Sequence, residues 1–214
     1  MGVSQETLIK VFMILPVILI SVALHEFAHC WANDRLGDDT PRKLGRVTLN
    51  PLVHLDPLGT IMMVVTAFSG FGIGWGKPSP FNPANFRHPS RDRMLGAIAG
   101  PLSNIVQMLA WASLSAVARA FFGPTSLFTL LCFLGMQINA GLAVFNLIPV
   151  YPLDGHHLLS YLAPRSWRPV IDNPAWGTVF LLVIILPQTR NIIVDTIMSP
   201  LVYGLMRFAC LIVG

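Results

Sequence analysis

The sequence HEFAH, residues 25–29, contains two histidines four positions apart, with a glutamate directly after the first. On an α-helix, His25 and His29 would project from nearly the same face, about 40° apart and one turn of rise from each other. Both imidazoles can then reach one Zn²⁺ ion, and Glu26 can act on a nearby water molecule as a general base. The spacing therefore indicates a zinc-hydrolase centre, although a motif of three fixed residues also occurs by chance.

The surroundings of this motif are unusual for water-dependent chemistry. It lies in the apolar segment Leu8–Trp31, which is long enough to cross a bilayer. Ionisable side chains at membrane depth are costly and by default indicate a functional site. Three of them within five residues need a compensating cation, and a zinc ion would supply it.

A catalytic zinc ion takes a third protein ligand and keeps one position open. Asp154 is the best candidate, because Pro149 and Pro152 must interrupt the preceding helix and let a carboxylate turn inward. The alternative role for Asp154 is an Asx turn or a helix N-cap. His54 is an alternative third ligand, although a loop histidine or a hydrogen-bond partner of a ligand is the simpler interpretation.

The composition defines the class of protein. Of 214 residues, 54% are hydrophobic and only 11% are charged, whereas soluble domains carry about 25% charged residues. We therefore predict an all-α polytopic membrane protein, with residues 1–214 forming a single transmembrane domain and no sizeable soluble domain. Its basic residues are scattered without interleaved aromatic residues, so no nucleic-acid partner is expected.

About five to six transmembrane helices must position these residues. Residues 58–71 are apolar but too short to cross comfortably, and they lead into a Gly- and Pro-rich stretch that cannot form a regular helix. We predict that residues 57–80 form a re-entrant element, whose irregular backbone would be tolerated beside a water-filled cavity. The predicted spans are 8–31, 94–122, 127–150 and two shorter ones within 175–214, broken near Pro187–Asn191, and residues 151–174 are predicted to be a polar loop.

The basic residues predict the orientation. If loops 33–56, 72–93 and 155–174 share one side of the membrane, that side holds ten of the fourteen basic residues and is cytoplasmic by the positive-inside rule. The N-terminus is then outside, and the site lies toward the cytoplasmic side of the cell membrane. The ten are Arg35, Arg42, Lys43, Arg46, Lys77, Arg87, Arg91, Arg93, Arg165 and Arg168.

Three motifs together carry a family resemblance. HExxH in one span, NLIPVYPLDG at residues 146–155 and AGPLSN at residues 99–104 resemble the site-2 protease family of intramembrane zinc metalloproteases. The resemblance covers roughly residues 20–160. It implies that His25, His29 and Asp154 bind one Zn²⁺ ion and that Glu26 is the catalytic base. It also implies that Asn146, a polar residue near the site, holds the substrate or the developing oxyanion.

The resemblance further implies a substrate and a reaction. The expected activity is hydrolysis of a peptide bond in or near a transmembrane segment, in a single-span membrane protein or a signal-peptide-like remnant within the lipid bilayer. The alternatives are a zinc-binding membrane protein without peptidase activity, such as a transporter, and a membrane zinc peptidase of another type. A Glu third ligand would be typical of that other type. The oligomeric state stays open.

This chain departs from the family pattern in several places. It begins with the HExxH span, whereas many members have an earlier span, and it has no room for an inserted PDZ or CBS domain. The family often has Gly-Arg after Asp-Gly, whereas this chain has His156-His157, either of which could hydrogen-bond to Asp154. The Pro-rich stretch Trp75–Phe86 should be extended. It could pair with a substrate strand or cover the zinc site as a rigid plug.

Overall fold

The computed structural model describes residues 5–68, 74–185 and 194–213, and the described chain is almost entirely helical. A π-helical turn, Val194–Met198, leads into the last helix, and 3₁₀ turns lie at Pro51–Val53, Pro83–Asn85 and Arg165–Trp167. In chain order the helices are α1 (Gln5–Arg35), α2 (Thr40–Lys43), α3 (Pro57–Phe68), α4 (Pro89–Phe122), α5 (Leu127–Asn146), α6 (Gly155–Leu162), α7 (Arg168–Ile171), α8 (Pro174–Ile185) and α9 (Ser199–Val213).

Four helical segments among the described residues are long and apolar enough to cross a bilayer: Val11–Arg35, Pro89–Phe122, Leu127–Asn146 and Val194–Val213. The prediction of an all-α polytopic membrane protein is therefore confirmed. The helices α3 and α8 have only 12 residues each, fewer than the roughly 20 that a span needs. The predicted break at Pro187–Asn191 lies outside the described residues.

Three long helices begin or end at residues other than those predicted, each for a local reason. Helix α1 continues to Arg35, past the predicted end, and buries the polar Asn33 against α4. Helix α4 begins earlier than predicted, at Pro89, because a proline at the first helical position has no N–H that needs a partner. Helix α5 ends at Asn146, short of the predicted end, because Pro149 cannot continue the helix.

The predicted polar loop 151–174 was wrong for part of its length, since it contains helices α6 and α7. Helix α6 starts at Gly155, directly after Asp154. A Cβ atom on Gly155 would lie 2.3 Å from the Leu147 carbonyl oxygen. The glycine therefore lets α6 turn back against the end of α5, which positions Asp154 beside the bundle.

The central helices are joined by one apolar and one polar region. Helix α4 packs against both α1 and α5. The apolar region consists of side chains from α4, α5 and α9, namely Met108, Ala112, Met136, Ala140, Met206 and Ala209. The polar region consists of the fully buried or nearly buried Ser21, Asn104 and Asn139. Hydrogen bonds thus hold the bundle together at the level of the HExxH motif, and apolar packing holds it elsewhere.

The ends of the predicted re-entrant element lie next to each other. Leu55 and Gly76 form an antiparallel bridge, and the Lys77 N–H donates to the His54 carbonyl oxygen at 2.7 Å. Between them the chain forms α3, and residues 69–73 lie outside the described part. The chain therefore leaves and returns at one place, as a re-entrant element requires.

Two buried charged residues anchor the extended segment 74–82 and the 3₁₀ turn Pro83–Asn85 that follows it. This turn interrupts the predicted extended stretch Trp75–Phe86. The Asp38 carboxylate accepts hydrogen bonds from the Asn82 N–H at 2.7 Å and the Asn85 side chain at 2.9 Å. Arg46 donates to the carbonyl oxygens of Lys77 and Pro78 at 2.6 and 3.4 Å. Although burial opposes its ionisation, these bonds and those from Thr40 lower the pKa of Asp38. The Asp38 carboxyl group is therefore ionised at neutral pH.

Candidate metal centre

The structure brings His25, His29 and Asp154 together although Asp154 is more than a hundred residues away in sequence. The two histidine Nε2 atoms are 3.0 Å apart. His25 Nε2 lies 3.2 Å from Asp154 Oδ2, and His29 Nε2 lies 3.4 Å from Asp154 Oδ1. Among the described residues this is the group of His, Cys, Asp or Glu side chains whose ligand atoms converge closely enough to bind one metal ion.

The other nitrogen of each histidine has a hydrogen-bond acceptor. His25 Nδ1 lies 2.6 Å from Asn104 Oδ1, and His29 Nδ1 lies 2.8 Å from the Gly96 carbonyl oxygen. A carbonyl oxygen can only accept, so the proton of the His29 ring sits on Nδ1. With the Asn104 oxygen facing His25, the same holds for His25. Both Nε2 lone pairs therefore point at the convergence with Asp154.

These groups fit a zinc ion. Two imidazole nitrogens and a carboxylate are a donor set that zinc uses in catalytic sites with an open fourth position. Asp154 Oδ2 is buried and accepts no hydrogen bond among the described residues. When both rings are neutral, their Nε2 lone pairs face the Asp154 carboxylate, and a cation at the centre would satisfy all three groups.

Asp154 occupies the N-cap position of α6, which was the alternative role for this residue. Its side chain, however, makes no capping hydrogen bond. Its carboxylate instead faces the two histidines of α1. Asp154 thus has the sequence position of an N-cap, but its side chain has the placement expected of a metal ligand.

Two glycines of α4 make room for polar side chains of α1. A Cβ atom on Gly100 would lie 2.3 Å from His29 Nε2 and 2.6 Å from His25 Cε1. A Cβ atom on Gly96 would lie 1.9 Å from Asn33 Oδ1. Gly96 and Gly100 are spaced as GxxxG, a pattern of small residues that lets membrane helices pack closely, and this geometry agrees with that role. The helix they allow α4 to approach is the one that carries the HExxH motif.

A cavity of about 460 Å³ opens beside the convergence. Glu26 lines it, half-buried, and has no hydrogen bond or ion pair with another described side chain. Asn146 also lines it, with its Nδ2 donating to the Leu142 carbonyl oxygen at 3.0 Å. The extended segment forms another wall, and a Cβ atom on Gly76 would lie 3.1 Å from Glu26 Oε1.

The remaining histidines near the site have other partners. His54 is fully buried, and its Nε2 lies 2.8 Å from the Thr48 carbonyl oxygen, so it does not join His25, His29 and Asp154. His156 Nε2 lies 3.0 Å from Asp172 Oδ1, which ties α6 to the end of α7.

His157 lines the cavity and belongs to neither of these pairs. Its Nδ1 accepts a hydrogen bond from Arg93 Nε at 3.2 Å. Burial, followed by the charge of Arg93, lowers the pKa of His157 to about 4. His157 is therefore neutral at physiological pH, with its proton on Nε2.

The sequence interpretation missed the specific roles of Asn104 and Arg93. In the sequence, Asn104 stood only at the end of the AGPLSN motif, and Arg93 only among the basic residues that predict the orientation. Their signal is positional, because Arg93, Gly96, Gly100 and Asn104 recur every three or four residues on one face of α4. That face is the one directed at the HExxH motif.

These features define a helical membrane protein with a metallohydrolase-type centre between its spans. A Bacillus subtilis protein named "Putative zinc metalloprotease YwhC" is 34% identical over 177 residues, covering 78% of this chain and 77% of the relative. A Mycolicibacterium smegmatis protein with the same description, Rip2, is 31% identical over 177 residues, covering 81% of this chain and 66% of the relative. A Methanocaldococcus jannaschii protein so described, MJ0611, is 35% identical over 85 residues, covering 40% of this chain and 37% of the relative.

No protein-family model and no solved structure matches the chain. The identity to the Bacillus protein extends over most of both chains, and the motifs of residues 25–29 and 146–155 lie in the folded core. The chain belongs to the site-2 protease family of zinc metalloproteases.

Proposed function

We propose that this protein is a zinc-dependent intramembrane endopeptidase that hydrolyses a peptide bond in or near a transmembrane segment of another membrane protein. The observation that carries the proposal is the convergence of His25, His29 and Asp154 in a cavity between membrane-spanning helices. The carboxylate of Glu26 lies beside them and has no side-chain partner among the described residues. A site used only to store or carry a metal ion would not need that carboxylate.

In this proposal one zinc ion is held by His25 Nε2, His29 Nε2 and the carboxylate of Asp154. Zinc bound there would polarise the scissile carbonyl group and lower the pKa of a water molecule toward about 7. Glu26 accepts the proton of the attacking water and then delivers it to the leaving amine. Glu26 suits this role because it follows a ligand directly and lines the cavity without another described partner.

Asn146 is proposed to hold the substrate carbonyl oxygen while negative charge develops on it. An amide group has two N–H donors, and the Leu142 carbonyl oxygen takes one of them. The second donor makes no hydrogen bond to a described residue, so Asn146 can bind an oxyanion without losing its own helix contact.

The substrate must be unwound before its peptide bond can react, since a helix hides its carbonyl groups in its own hydrogen bonds. The extended segment supports a way to hold an unwound strand. The Lys77 N–H bonds to the His54 carbonyl oxygen. Successive residues of an extended chain direct their N–H and C=O groups to opposite sides, so those of Gly76 point away from residues 54–55, toward the opposite edge. That edge is available for strand pairing with substrate next to Glu26.

The proposed orientation follows from the basic loops. Loops 33–56, 72–93 and 155–174 face the cytoplasm, the N-terminus lies outside the cell membrane, and the site lies near the cytoplasmic border. Water then reaches Glu26 from the cytoplasm, while the substrate segment enters from the lipid. The start of α4 and the loop before α6 both lie at the site, which agrees with this placement.

The direct test uses purified protein reconstituted into liposomes with a panel of single-span substrates. We expect cleavage by the wild type and about 10²- to 10⁴-fold slower cleavage by Glu26→Gln at unchanged zinc content, because general-base catalysis contributes about that much. Asp154→Ala should lose zinc. Unchanged cleavage by Glu26→Gln would contradict the proposal, and full zinc retention in Asp154→Ala would contradict the ligand set.

A further inference from the structure

Arg93 places a cation in the wall of the cavity without an acidic partner among the described residues. Its neighbour Asp92 is fully buried and already accepts hydrogen bonds from the His88 N–H at 2.7 Å and from Arg91 Nε at 2.9 Å. In the described part of the chain, the single hydrogen-bond partner of Arg93 is His157. A guanidinium group in a semi-enclosed cavity is favourable only if an anion or water compensates its charge.

The contact with His157 orients the donors of both side chains. Arg93 uses its Nε–H for this contact, so its two terminal NH₂ groups, which bond to no described residue, form a planar fork. Because His157 Nδ1 accepts that bond, its ring proton sits on Nε2. No hydrogen bond to Nε2 occurs among the described residues. The pair therefore offers the cavity a positive fork and one additional N–H donor.

His157 lies about one helical turn from a proposed ligand, and Arg93 lies about one turn from the glycine that holds another. Arg93 precedes Gly96, whose carbonyl oxygen holds His29, by three positions on α4. His157 follows Asp154 by three positions at the start of α6. One turn of helix is about 5 Å, which is close to the length of one or two residues of an extended peptide. A group bound here would thus belong to a residue one or two positions from the scissile bond.

We propose that Arg93 and His157 form a subsite for a carboxylate, which selects substrates with an Asp or Glu side chain close to the scissile bond. A guanidinium fork matches the two oxygens of a carboxylate and binds it with two parallel hydrogen bonds. The neighbouring cavity walls, Phe81 and Phe86, are aromatic and would limit access of water to the pair. This inference rests on the proposed endopeptidase function and adds a substrate class to it.

The subsite is tested by substrate binding to the inactive Glu26→Gln protein with zinc bound, in nanodiscs. The probes are single-span peptides in which Glu, Gln or Lys is placed in turn at each position of the segment near the cytoplasmic border. At one or two adjacent positions, we expect Glu to strengthen binding about 10- to 100-fold over Gln, since hydrogen bonds between charged groups contribute that much. Lys should weaken it.

Reversing the charge of residue 93 distinguishes a direct contact with the peptide from a long-range electrostatic effect. Arg93→Gln should remove the preference for Glu, and Arg93→Glu should reverse it in favour of Lys at the same position. His157→Leu should reduce the preference partly, because it removes one donor and the orientation of Arg93. Arg87→Glu is the matched control: it makes the same change of charge at an exposed residue outside the cavity wall, and should keep the wild-type preference.

The outcomes separate this inference from the proposed function. Equal affinity for the three peptides at every position, or no measurable binding of any of them, overturns the subsite. So does a preference for Glu that persists in Arg93→Gln. Affinity that depends on anionic lipid and not on the peptide would assign Arg93 to lipid phosphate and also overturn the subsite. Selective binding without cleavage by the wild type would instead contradict the endopeptidase function and leave the subsite intact.

Discussion

At the scale of single residues, two hydrogen-bonded side-chain amides determine which ring nitrogen of His25 carries the proton. Asn104 accepts from His25 through its oxygen and donates through Nδ2 to Asn139 Oδ1 at 3.0 Å. Asn139 in turn donates to Ser21 Oγ at 2.9 Å and to the Gly135 carbonyl oxygen at 2.9 Å. If either amide group were rotated by 180°, two donors or two acceptors would face each other. These hydrogen bonds therefore keep the lone pair of His25 Nε2 directed toward Asp154.

Replacing Asn104 should weaken zinc binding without removing any proposed ligand. In Asn104→Leu the ring of His25 loses its acceptor, and we expect zinc affinity to fall about 10- to 100-fold. Asn104→Asp keeps an oxygen for His25 Nδ1 and should keep most of the affinity. Competition with a zinc chelator measures both.

Gln137→Leu is the matched control for this experiment, since Gln137 is exposed on α5 and makes no hydrogen bond to the described residues. It should bind zinc as the wild type does. Wild-type affinity in Asn104→Leu would show that the amide chain does not orient His25.

Some residues of the site could be predicted from sequence and others could not. His25, Glu26 and His29 follow from local helical spacing, and Asp154 from the prolines that precede it. Asn104 could not be paired with His25, because 79 residues separate them and an Asn in a span has many potential partners. The contact between Arg93 and His157 depends in the same way on where α6 turns back.

At the scale of elements, the site depends on how closely α4 approaches α1. Gly96, Gly100 and Asn104 lie four residues apart on the face of α4 that meets the HExxH motif. At Gly100 helix α4 comes close to both histidine rings, since a Cβ atom there would lie 2.3 Å from His29 Nε2 and 2.6 Å from His25 Cε1. Close backbone contact through small residues is a common way for membrane helices to associate. Here the same contact also sets the position of the proposed metal ligands.

A single methyl group at position 100 should therefore disrupt the metal centre. In Gly100→Ala the new Cβ would fall 2.3 Å from His29 Nε2, so either the rings or the helices must move. We expect loss of most bound zinc and of activity, measured as metal content of the purified protein. Gly141→Ala is the control, because a Cβ there meets nothing within 4 Å. Full zinc occupancy in Gly100→Ala would rule out this account of the helix contact.

The long helices could be predicted to within a few residues because apolar runs of sufficient length have few alternatives in a membrane. The short helix α6 was missed because its eight residues follow two prolines and begin with Gly155 and two histidines, which resemble a loop in composition. What makes α6 stable is its packing against α4 and its attachment to α7 through His156 and Asp172. Such long-range contacts are not visible in a local pattern.

At the scale of the whole molecule, the structure combines an apolar exterior with a polar cavity. Large apolar side chains such as Phe12, Ile20 and Phe121 are exposed on the outer faces of the spans, as lipid contact requires. The cavity between α1, α4, α5 and the extended segment contains the ionisable groups. This arrangement suits a reaction in which water and a membrane-embedded peptide meet at one place.

The most direct test of this account is to map the cleaved bond. Purified, zinc-loaded protein is incubated in liposomes with a single-span substrate, and the fragments are identified by mass spectrometry, with Glu26→Gln as the blank. We predict one cut within the apolar segment or at its cytoplasmic border, absent from the blank. Cuts confined to soluble loops of the substrate, or the same fragments with Glu26→Gln, would contradict the account.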